Sequence, residues 1–544
     1  MRRRQTRVAN TAQASLGFVG TSAGGTPTDH PTKIRVGATA FLDAAPWHLF
    51  VGNERVDGYL NSRGLGWVVK LRQELQHIDF RMLERNYFGS GRPPYHPRLL
   101  MGLIVYGVLK EKHSLRELEE LAVVDVGAWW ICGGLQPDHS TLGDFLERHR
   151  AEITREYFTE LVKNLAGRKA IKPGVVAGDG TVIEASASRF ELLSREAAEG
   201  VAEKARVAAE QAPEDPGLQQ AAREAAAVAE VARERAKHKK DKGAKEADSA
   251  SVVTPVEPQA VPQRCKDGRF RPGYKPSILV HESGLIIGQV VESSCESAAV
   301  AGLFDQHYAV FGANPEVALF DAGYHNQLVL SEAVERGINM LCPSGKTLDE
   351  HWQRRGNNGK FGKTQFLYDR DADGYRCPAG HVMMPGAEYV DTRTGQRARK
   401  YKTKQCVGCP LRGQCTESEA GRVIVRMEAD ELKEAMEAVM AQGRARHQYR
   451  KRKEIVERVF AEFGWRQGLR RFRRRARSGA GLEFALHCIA YNLKWAITRG
   501  SEALVPAILA YLRRLRRVSA PLAAEGRTTG AGGFGADLAL RAAA

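Results

Sequence analysis

The sequence contains no apolar run long enough to cross a membrane. Its longest such run extends from Leu99 to Leu109, about half of the roughly 20 residues that a bilayer-spanning helix needs. No apolar stretch follows the basic start at residues 1–4, so no secretory leader is expected. Nine cysteines in 544 residues are too few, and odd in number, for a disulfide scaffold. The sequence thus argues against an integral membrane protein and against a secreted one.

Acidic residues are also in the minority. The chain has 81 Lys and Arg against 64 Asp and Glu, which gives a net charge of +17 and a pI near 9.5. Such an excess indicates a polyanionic partner, either nucleic acid or an anionic membrane surface. With 43% apolar residues, the chain can build real cores, and its length predicts about three or four domains.

The two ends of the chain lack hydrophobic periodicity. Residues 1–45 are rich in Gly, Ser, Thr and Arg, and residues 518–544 are rich in Ala and Gly. Neither segment can bury enough apolar area to offset its ordering entropy. We therefore predict a disordered N-terminal tail over 1–45, and a C-terminal helix and disordered tail over 499–544.

Residues 66–168 have helical periodicity. The stretch from His96 to Lys112 is apolar on most faces, which predicts a buried helix. Ser114 and Glu117 have the spacing of a capping box. Short capped helices joined by tight turns are compatible with helix-turn-helix DNA binding, and a small helical bundle explains the same periodicity equally well.

A sheet pattern begins at Val175 and defines an α/β domain over 169–498. Three strands in a meander precede alternating helices and strands, which predicts a mixed sheet flanked by helices. Two segments interrupt it: 191–250 has the composition of a helical arm, and 344–443 carries clustered cysteines. The predicted strands are 175–183, 276–281, 285–291, 317–321 and 338–342, and the predicted helices are 296–311, 326–337, about 431–463, and 481–497.

Two aspartates lie on predicted strands. Asp179 stands between two glycines, and Asp321 ends its strand. A carboxylate in a buried strand costs several kcal/mol unless it is paired or binds a cation. If both strands belong to one sheet, the two carboxylates could reach one edge and, with a third acid, form a hard oxygen site for Mg²⁺ or Mn²⁺. The alternative is that each Asp caps an ordinary turn.

The third acid is expected on the basic helix that follows. Glu454 and Glu457 are the two candidates, and they are about one turn apart. The alternative for either residue is an exposed helical ion pair with the surrounding Arg and Lys, worth a few tenths of a kcal/mol.

Much of the positive charge lies between Arg444 and Arg477. This stretch has fourteen Lys and Arg, only three Glu, and interleaved aromatic residues. A solvated charged face is the ordinary explanation, but the density of Arg and the aromatics favour contact with a phosphate backbone, without sequence specificity. The candidate DNA-binding residues are Tyr449, Arg450, Arg452, Arg466, Arg470, Arg471, Arg473 and Arg474.

Four cysteines cluster within 344–443. Cys406 and Cys409 have the two-residue spacing of a metal knuckle, and Cys415 follows; Cys377, or alternatively His381, would be the fourth ligand. Four thiolates suit a structural Zn²⁺, which in a reducing compartment is favoured over a disulfide pair. Unligated reduced cysteines and an Fe–S cluster are the alternatives.

Several short motifs resemble those of insertion-sequence DDE transposases, specifically the IS1182 branch of the IS5/IS4-like group. The resemblance extends from about residue 66 to 498, and the motifs occur in the family's order. The three that resemble the acidic motifs are DGTVIEA at 179–185, DAGY at 321–324, and Tyr449-x2-Arg452 followed by VERVF at 456–460. GRPPYHP at 91–97 and PDHST at 137–141 resemble the N-terminal helical domain, and Cys377 with CVGCPL at 406–411 resembles the cysteine-bearing insert.

The resemblance implies an RNase H-like catalytic domain in which Asp179, Asp321 and Glu457 hold two divalent ions, Mg²⁺ or Mn²⁺. It thereby selects Glu457 over Glu454. It further implies a cytoplasmic, nucleoid-associated bacterial transposase that binds the terminal inverted repeats of its element as a homodimer. Such an enzyme cleaves at the element ends and joins them to target DNA, with no membrane partner.

The glutamate motif departs from the wider IS4-like pattern, Tyr-x2-Arg-x3-Glu-x6-Lys. That spacing would place the acid at Val456 instead of Glu457, and Gly464 stands seven residues beyond Glu457. The phosphate-contacting role of the family's lysine would then pass to Arg466 or lapse. Two alternative functions follow: a catalytically inactive DNA-binding element remnant, and a metal-dependent nuclease without strand transfer.

Overall fold

The computed structural model describes residues 32–36, 39–88, 92–241, 252–265, 267–345, 360–391 and 395–502. The described residues up to Ile497 form one compact unit. Gly91, most of the predicted N-terminal tail and the whole of 518–544 lie outside the described residues.

A hairpin forms where the sequence predicted disorder. Strands β1 (Thr32–Val36) and β2 (Thr39–Asp43) pair antiparallel, so the prediction over 1–45 is wrong for this segment. Phe41 is fully buried, and its ring meets those of Tyr87 and His96 at centroid distances of 5.2 and 5.4 Å. One aromatic side chain inserted into a distant core therefore orders a stretch whose composition alone favours no structure.

The predicted helical region is confirmed. It follows a short hairpin and buries one apolar stripe of each longer helix in a common core. The hairpin consists of β3 (Phe50–Val51) and β4 (Glu54–Arg55). The helices are α1 (Val56–Ser62), α2 (Gly66–Gln76), α3 (Arg81–Glu84), α4 (Pro97–Leu109), α5 (Leu115–Val124), α6 (Val126–Cys132), α7 (His139–Arg148), α8 (Arg150–Glu152) and α9 (Phe158–Arg168).

The helix starts follow the capping signals in the sequence. At the start of α5, the Ser114 hydroxyl accepts from the Glu117 N–H, and the Glu117 carboxylate accepts from the Ser114 N–H, which confirms the capping box. Asp138 caps α7 by accepting from the Thr141 N–H at 2.6 Å. The helix predicted from His96 is the buried α4, with His96 as its N-cap.

The large sheet has seven strands and mixes antiparallel with parallel pairs. Along its main path the order is β11-β10-β5-β12-β13; β6 and β9 pair with the outer part of β10. The first three strands are antiparallel, and β5, β12 and β13 are parallel. The strands of this part of the chain are β5 (Val175–Gly180), β6 (Ile183–Glu184), β7 (Leu193–Ser194), β8 (Val252–Val253), β9 (Val261–Arg264), β10 (Phe270–His281), β11 (Ile286–Glu292), β12 (Val317–Leu319) and β13 (Asn339–Leu341).

Both faces of the large sheet are covered, as continuous apolar strands predict. Ala177 and Leu319 belong to the core shared with the helical region, whereas Val176 and Ala318, one residue earlier on the same strands, belong to a second core. The helices that complete these layers are α12 (Ala299–Phe311), α13 (Gln327–Glu335), α16 (Gly443–Trp465) and α17 (Ala476–Glu502).

Each of the two interruptions has a small hydrophobic core of its own. The helical arm is a hairpin of α10 (Arg195–Gln211) and α11 (Pro216–Asp241), held by a small alanine and valine core and by the pairing of β7 with β8. The cysteine-bearing segment is a five-stranded antiparallel meander, here called the small sheet. Its elements are β14 (Leu367–Asp369), β15 (Gly374–Arg376), β16 (Val382–Val390), β17 (Arg397–Lys402), α14 (Arg412–Cys415) and β18 (Ile424–Met427).

The long basic helix is divided in two. The sequence predicted one helical stretch from about Glu431 to Phe463, but Gln442 adopts an extended conformation between α15 (Ala429–Ala441) and α16. The break lets α15 pack Leu432 and Met436 against the second core while α16 crosses the large sheet. In the described part of the chain, no helix combines the length and the apolar character that a membrane span requires.

Candidate active site

Asp179 lies near the carboxyl end of β5, the central strand of the large sheet. Its two flanking glycines are sites of close approach. A Cβ at Gly178 would lie 2.1 Å from the Phe320 ring, and a Cβ at Gly180 would lie 2.8 Å from Cγ of Glu296. The Gly180 N–H donates to Oδ1 of Asp179 at 2.9 Å. The glycines therefore let neighbouring elements close against the strand around its acidic side chain.

Asp321 follows β12, which pairs in parallel with β5. It is the N-cap of a single 3-10 turn, Ala322–Tyr324, and its Oδ1 accepts from the Gly323 N–H at 2.9 Å. Because neighbouring parallel strands end at the same edge of a sheet, Asp179 and Asp321 lie side by side. The sequence left two alternatives for Asp321, a turn cap and a carboxylate at the same sheet edge as Asp179. In the structure Asp321 is both.

The guanidinium of Arg452, on α16, lies against both carboxylates. Its Nη2 is 3.1 Å from Oδ1 of Asp179 and 3.8 Å from Oδ2 of Asp321. These two oxygens can be no farther apart than the sum of the two distances, which a pair of ions about 4 Å apart could span. The Arg452 side chain is 14% exposed, and its Nε and Nη2 are not aligned for hydrogen bonds. The two acids therefore share one buried cationic neighbour.

The carboxyl group of Asp179 is electrostatically perturbed. Burial is the main cause and raises its pKa to about 6, because a low-dielectric surrounding disfavours the charged form. The positive charge of Arg452 opposes this rise in pKa, and the negative charges of Asp321 and Glu296 add to it. A perturbed carboxyl beside a second acid is a common property of functional sites.

Glu457 is not in contact with this pair. Glu457 is five positions after Arg452 on α16. At about 100° per residue, the two side chains therefore point about 140° apart around the helix axis. Its side chain is 59% exposed, and it forms an i,i+4 ion pair with Lys453 at 4.0 Å. The side chain one turn after Arg452 on the same face is Val456, which is fully buried. Glu454 is also exposed, so the assignment of the third acid stays a prediction.

The candidate DNA-binding residues divide into three groups. Three of them make internal contacts: Arg471 donates to the carbonyl oxygens of Ala185 and Ala187, and Arg473 and Arg474 lie near carboxylates of other helices. Tyr449 and Arg452 face the acidic pair. The third group consists of Arg450, Arg466 and Arg470, which are exposed, as are Arg471 and Arg473 of the first group. Arg470 lies 5.7 Å from the Trp465 ring centroid.

The four clustered cysteines line one cavity beside the small sheet, together with His381. Burial raises the pKa of the Cys415 thiol, and the nearby Cys406, Cys377 and Cys409 add to this rise while Arg422 opposes it. A Cβ at Gly421 would lie 2.8 Å from Cβ of Cys406. The chain thus folds so that thiols distant in sequence become neighbours.

Among the described residues, no group of three or more His, Cys, Asp or Glu side chains is arranged so that it could hold a metal ion. The donor types at the two places nevertheless match different ions. The acidic edge offers the hard carboxylate oxygens of Asp179 and Asp321 on both sides of the Arg452 guanidinium. Such oxygen donors fit Mg²⁺ or Mn²⁺. The cysteine cavity offers soft thiols, which fit Zn²⁺.

One acidic residue of this site escaped the sequence analysis. Glu296 begins a 3-10 turn that follows β11, and β11 is parallel in direction to β5 because both are antiparallel to β10. Its carboxyl end therefore lies at the edge that carries the two aspartates. The sequence signal for this position was an acidic residue shortly after β11, the strand that has the same direction as β5.

Comparison with protein families identifies two regions. Residues 376–496 match the family described as "Transposase DDE domain", and residues 69–148 match "Transposase domain (DUF772)". The first match contains the four cysteines and Glu457 but neither aspartate, and the second extends from α2 into α7. No match was found among curated proteins.

Both matched regions are transposase domains, and one of them is a DDE domain. Their combination is typical of insertion-sequence transposases of the IS1182 family. The family resemblance predicted from the short motifs is therefore confirmed.

Proposed function

We propose that the protein binds the terminal inverted repeats of its own insertion sequence and catalyses metal-dependent DNA cleavage and strand transfer. The observation that carries this proposal is the meeting of Asp179 and Asp321 around one cationic group. The two residues come from strands far apart in sequence, and the motifs that contain them resemble the two aspartate motifs of the family.

The arrangement of the large sheet supports the RNase H-like fold that the resemblance implies. Three antiparallel strands, β11, β10 and β5, are followed by the parallel β12 and β13. The acids stand after the central strand and its parallel neighbour, and α16 crosses the same sheet. This topology joins acids from separate motifs on one rigid frame, as phosphoryl transfer requires.

Asp179, Asp321 and Glu457 are the proposed holders of divalent cations, which would supply activation of the attacking oxygen and stabilisation of the leaving oxygen when bound. Asp179 must be deprotonated for this role, and at neutral pH its raised pKa still allows that. Because Glu457 lies about 140° around the axis of α16 from Arg452, its carboxylate would reach the acidic edge only with a rotation or shift of α16. Arg452, once released from the acids, would position a DNA phosphate together with Tyr449 and Arg466.

The proposed DNA surface has two parts. The helical region 66–168, which contains the second family match, would bind the element ends. The exposed Arg450, Arg466 and Arg470 would contact the phosphate backbone by charge alone. A homodimer would hold two ends together, and the proposed place of action is the bacterial cytoplasm, on the nucleoid. The domain boundaries remain those of the sequence analysis, with 169–498 as the catalytic domain.

We further propose a structural Zn²⁺ held by Cys377, Cys406, Cys409 and Cys415. The shared cavity and the mutual influence of the thiols support this assignment. The Cys377 N–H donates to the carbonyl oxygen of His381 at 2.9 Å, and both residues line the cavity, so His381 stays the alternative fourth ligand.

The test uses purified full-length protein, Mg²⁺, and duplex DNA that carries the inverted repeats flanking the gene. We expect nicks at the element ends and, with target DNA present, joined products. Nicks without joined products would identify a metal-dependent nuclease. Binding without any nick would identify a catalytically inactive element remnant, and either result would overturn the proposal.

A further inference from the structure

Residues 392–416, which include β17 of the small sheet, carry positive charge without any acid. This stretch has seven Lys and Arg and no Asp or Glu, and Asp391 and Glu417 directly flank it. The candidate DNA-binding residues predicted from the sequence all lie on or after α16, so this charge has no role yet. Such a segment needs either acidic partners from elsewhere in the chain or a polyanionic partner outside it.

The inner face of β17 finds its acidic partners within the small sheet. Successive residues of a strand point to opposite faces, and the inner face is the one on which Tyr401 is buried in the small core. Arg399 has the same alternation as Tyr401, and it pairs with Asp373 at 2.7 Å and with Glu388 at 3.6 Å. The positive charge of the inner face is therefore compensated.

The outer face of β17 has no such compensation. Lys400 and Lys402 are both exposed on it, and Lys402 lies opposite Met384 of β16. Nζ of Lys400 is 4.9 Å from the Tyr389 ring centroid, so its neighbour is aromatic and not acidic. Within the part of the chain that the structure describes, neither lysine has a carboxylate at ion-pair distance.

The same face extends over the two neighbouring strands. Arg376 of β15 lies opposite Val382 of β16, and both are exposed. Val382 and Met384 are 44% and 60% exposed, so apolar side chains lie between Arg376 and Lys402. The strands β15, β16 and β17 are described in full and carry no Asp or Glu on this face; the next strand, β14, contributes Asp369.

Both ends of this surface are fixed to other parts of the molecule. Lys404 is exposed and begins the 3-10 turn that ends at Cys406, a residue of the cysteine cavity. On β18, the guanidinium of Arg426 donates to both carboxylate oxygens of Glu434 on α15, at 2.6 and 2.8 Å. The helix α15 leads directly into α16, which carries Arg452. The surface and the acidic edge thus belong to one compact unit.

We propose that the outer face of the small sheet, with Arg376, Lys400, Lys402 and Lys404, is a second DNA-binding surface that contacts the phosphate backbone. A DNA backbone supplies the negative charges that the chain itself does not. Lys400 and Lys402 are about 6.6 Å apart along the strand, close to the rise of two nucleotides along one DNA strand. Phosphate contacts carry no base information, and the inference rests on the proposed function, to which it adds a sequence-independent contact.

The experiment measures binding of the full-length protein to two duplexes, one with the element end and one of unrelated sequence, by fluorescence anisotropy over a range of salt concentrations. The test variant combines Lys400→Gln with Lys402→Gln. Lys204→Gln with Lys237→Gln is the matched control, because both lysines are exposed on the helical arm, where Glu residues are interleaved with Lys and Arg. A melting curve verifies that each variant is folded.

We expect the test variant to bind both duplexes about 10-fold more weakly, with a salt dependence of log K shallower by about 2, because each phosphate contact releases about one counterion. The control variant should bind as the wild type does. Equal losses in the test and control variants would show that only net charge matters, and would overturn the inference. Unchanged DNA binding with an altered oligomeric state would overturn it too, by assigning the face to a second copy of the chain.

Lysine acetylation of the wild type, read by mass spectrometry, tests the surface without any substitution. Bound DNA should protect Lys400, Lys402 and Lys404 from the reagent and leave Lys204 as reactive as before. Equal acetylation of Lys400 and Lys402 with and without saturating DNA would contradict the inference, even if the test variant failed to fold.

The two levels of the proposal fail differently. If the wild type binds DNA and Arg450→Gln with Arg466→Gln weakens binding, but the test variant binds like the wild type, only the role of the small sheet is wrong. If the wild type binds neither duplex, the proposed function is wrong, and the role of the small sheet falls with it.

Discussion

The large sheet and the small sheet stabilise themselves by different means. The large sheet is covered on both faces, and residues of its central strand such as Val176 and Ala177 are fully buried in separate cores. The small sheet has a single modest core, and alternate residues of its longest strand, β16, are exposed. A sheet with two cores can carry two close, partly exposed carboxylates at its edge, whereas a sheet with one small core needs other support.

Polar and sulfur groups provide that support in the small sheet. Asp373 accepts hydrogen bonds from the hydroxyls of Tyr368 and Tyr401 at 2.8 and 2.6 Å, and the guanidinium of Arg426 lies 3.6 Å from the Tyr368 ring centroid. These bonds hold the pKa of Asp373 below its usual value. The two proposed ions would therefore have different roles. An ion at the large sheet would take part in catalysis, and an ion at the small sheet would stabilise its fold.

The largest expected effect comes from removing one acid of the large sheet. Asp179→Asn should lower DNA cleavage by at least about a thousand-fold, because a neutral amide cannot replace a metal-binding carboxylate. DNA binding and thermal stability should change little, since the core of the sheet is intact. A cleavage assay, a binding assay and a melting curve measure the three quantities.

Asp371→Asn is the control for that prediction, because Asp371 is exposed in the turn between β14 and β15. If Asp179→Asn unfolds the protein, Asp179 is needed for the fold of the large sheet. If the variant retains cleavage, Asp179 is not needed for the chemistry. Either result would contradict the prediction.

A second large effect is expected at the small sheet. Cys406→Ser combined with Cys409→Ser should reduce bound zinc from about one ion per chain to near zero, since a structural site needs all four ligands. Hydrogen exchange of β15 and β17 should accelerate, because metal binding and local folding are coupled. Mass spectrometry of zinc content and of deuterium uptake provides the readout.

Cys295→Ser serves as the reference, because Cys295 is an exposed cysteine outside the cavity. The prediction would be contradicted if the wild-type protein contained no zinc after purification and if β15 and β17 exchanged hydrogen equally fast in the wild type and the double variant. The small sheet would then not depend on a metal ion.

Lowering the pH should reduce the free energy of unfolding, because a buried imidazole packs against the large sheet. His307 on α12 is 0% exposed, its Nδ1 donates to the carbonyl oxygen of Ala313 at 3.0 Å, and its Nε2 is buried without a partner. Burial lowers its pKa to about 4; the Ala313 bond opposes this, and nearby His281 adds to it. The unfolded chain therefore binds more protons between pH 6.5 and 4, so stability is greatest above pH 6.5 and decreases as the pH falls.

The expected loss at pH 5 is on the order of 2 kcal/mol from this residue. His307→Gln should flatten that part of the profile, whereas His447→Gln, at an exposed position of α16, should not. Denaturant unfolding at pH 5 and pH 7 measures the difference. Parallel pH profiles for wild type and His307→Gln would contradict the prediction.

A smaller effect is expected from removing the cation between the two aspartates. Arg452→Met should lower the free energy of unfolding at neutral pH by on the order of 1–2 kcal/mol, because it leaves two close carboxylates without their counter-charge. Millimolar Mg²⁺ should restore more stability to this variant than to the wild type. Lys453→Met, an exposed neighbour, is the control, and an equal response of all three proteins to Mg²⁺ would contradict the shared cation position.

The sequence predicted those parts of the molecule that depend on local pattern. The capping residue Ser114 marked a helix start because its hydrogen bonds with Glu117 span only three residues. Asp179 and Asp321 could be placed at one edge because the alternation of helix and strand implies neighbouring parallel strands. The break at Gln442 was missed although Gly443 follows it, because both flanking segments are rich in helix-forming residues.

Long-range packing accounts for what was missed. The hairpin of β1 and β2 is held by the aromatic contacts of Phe41 and by backbone hydrogen bonds of Leu42 with Pro94 and His96. Composition cannot reveal contacts between segments so far apart in the chain. Arg452 was predicted to bind DNA, and its place between two acids depends on how α16 crosses the sheet. Glu296 was overlooked because it begins a helix, where an acidic residue has an ordinary explanation in the helix dipole.

The interleaving of the large sheet with its two insertions also sets the timing of its assembly. β5 is synthesised early, but its partners β10 and β12 emerge only after the whole helical arm, and Arg452 only after the cysteine-bearing segment. At about 5–20 residues per second, many seconds separate the first acid from the last basic residue of its pocket. A nascent chain that ends before Arg452 therefore lacks one of the three charged groups that meet at the acidic edge.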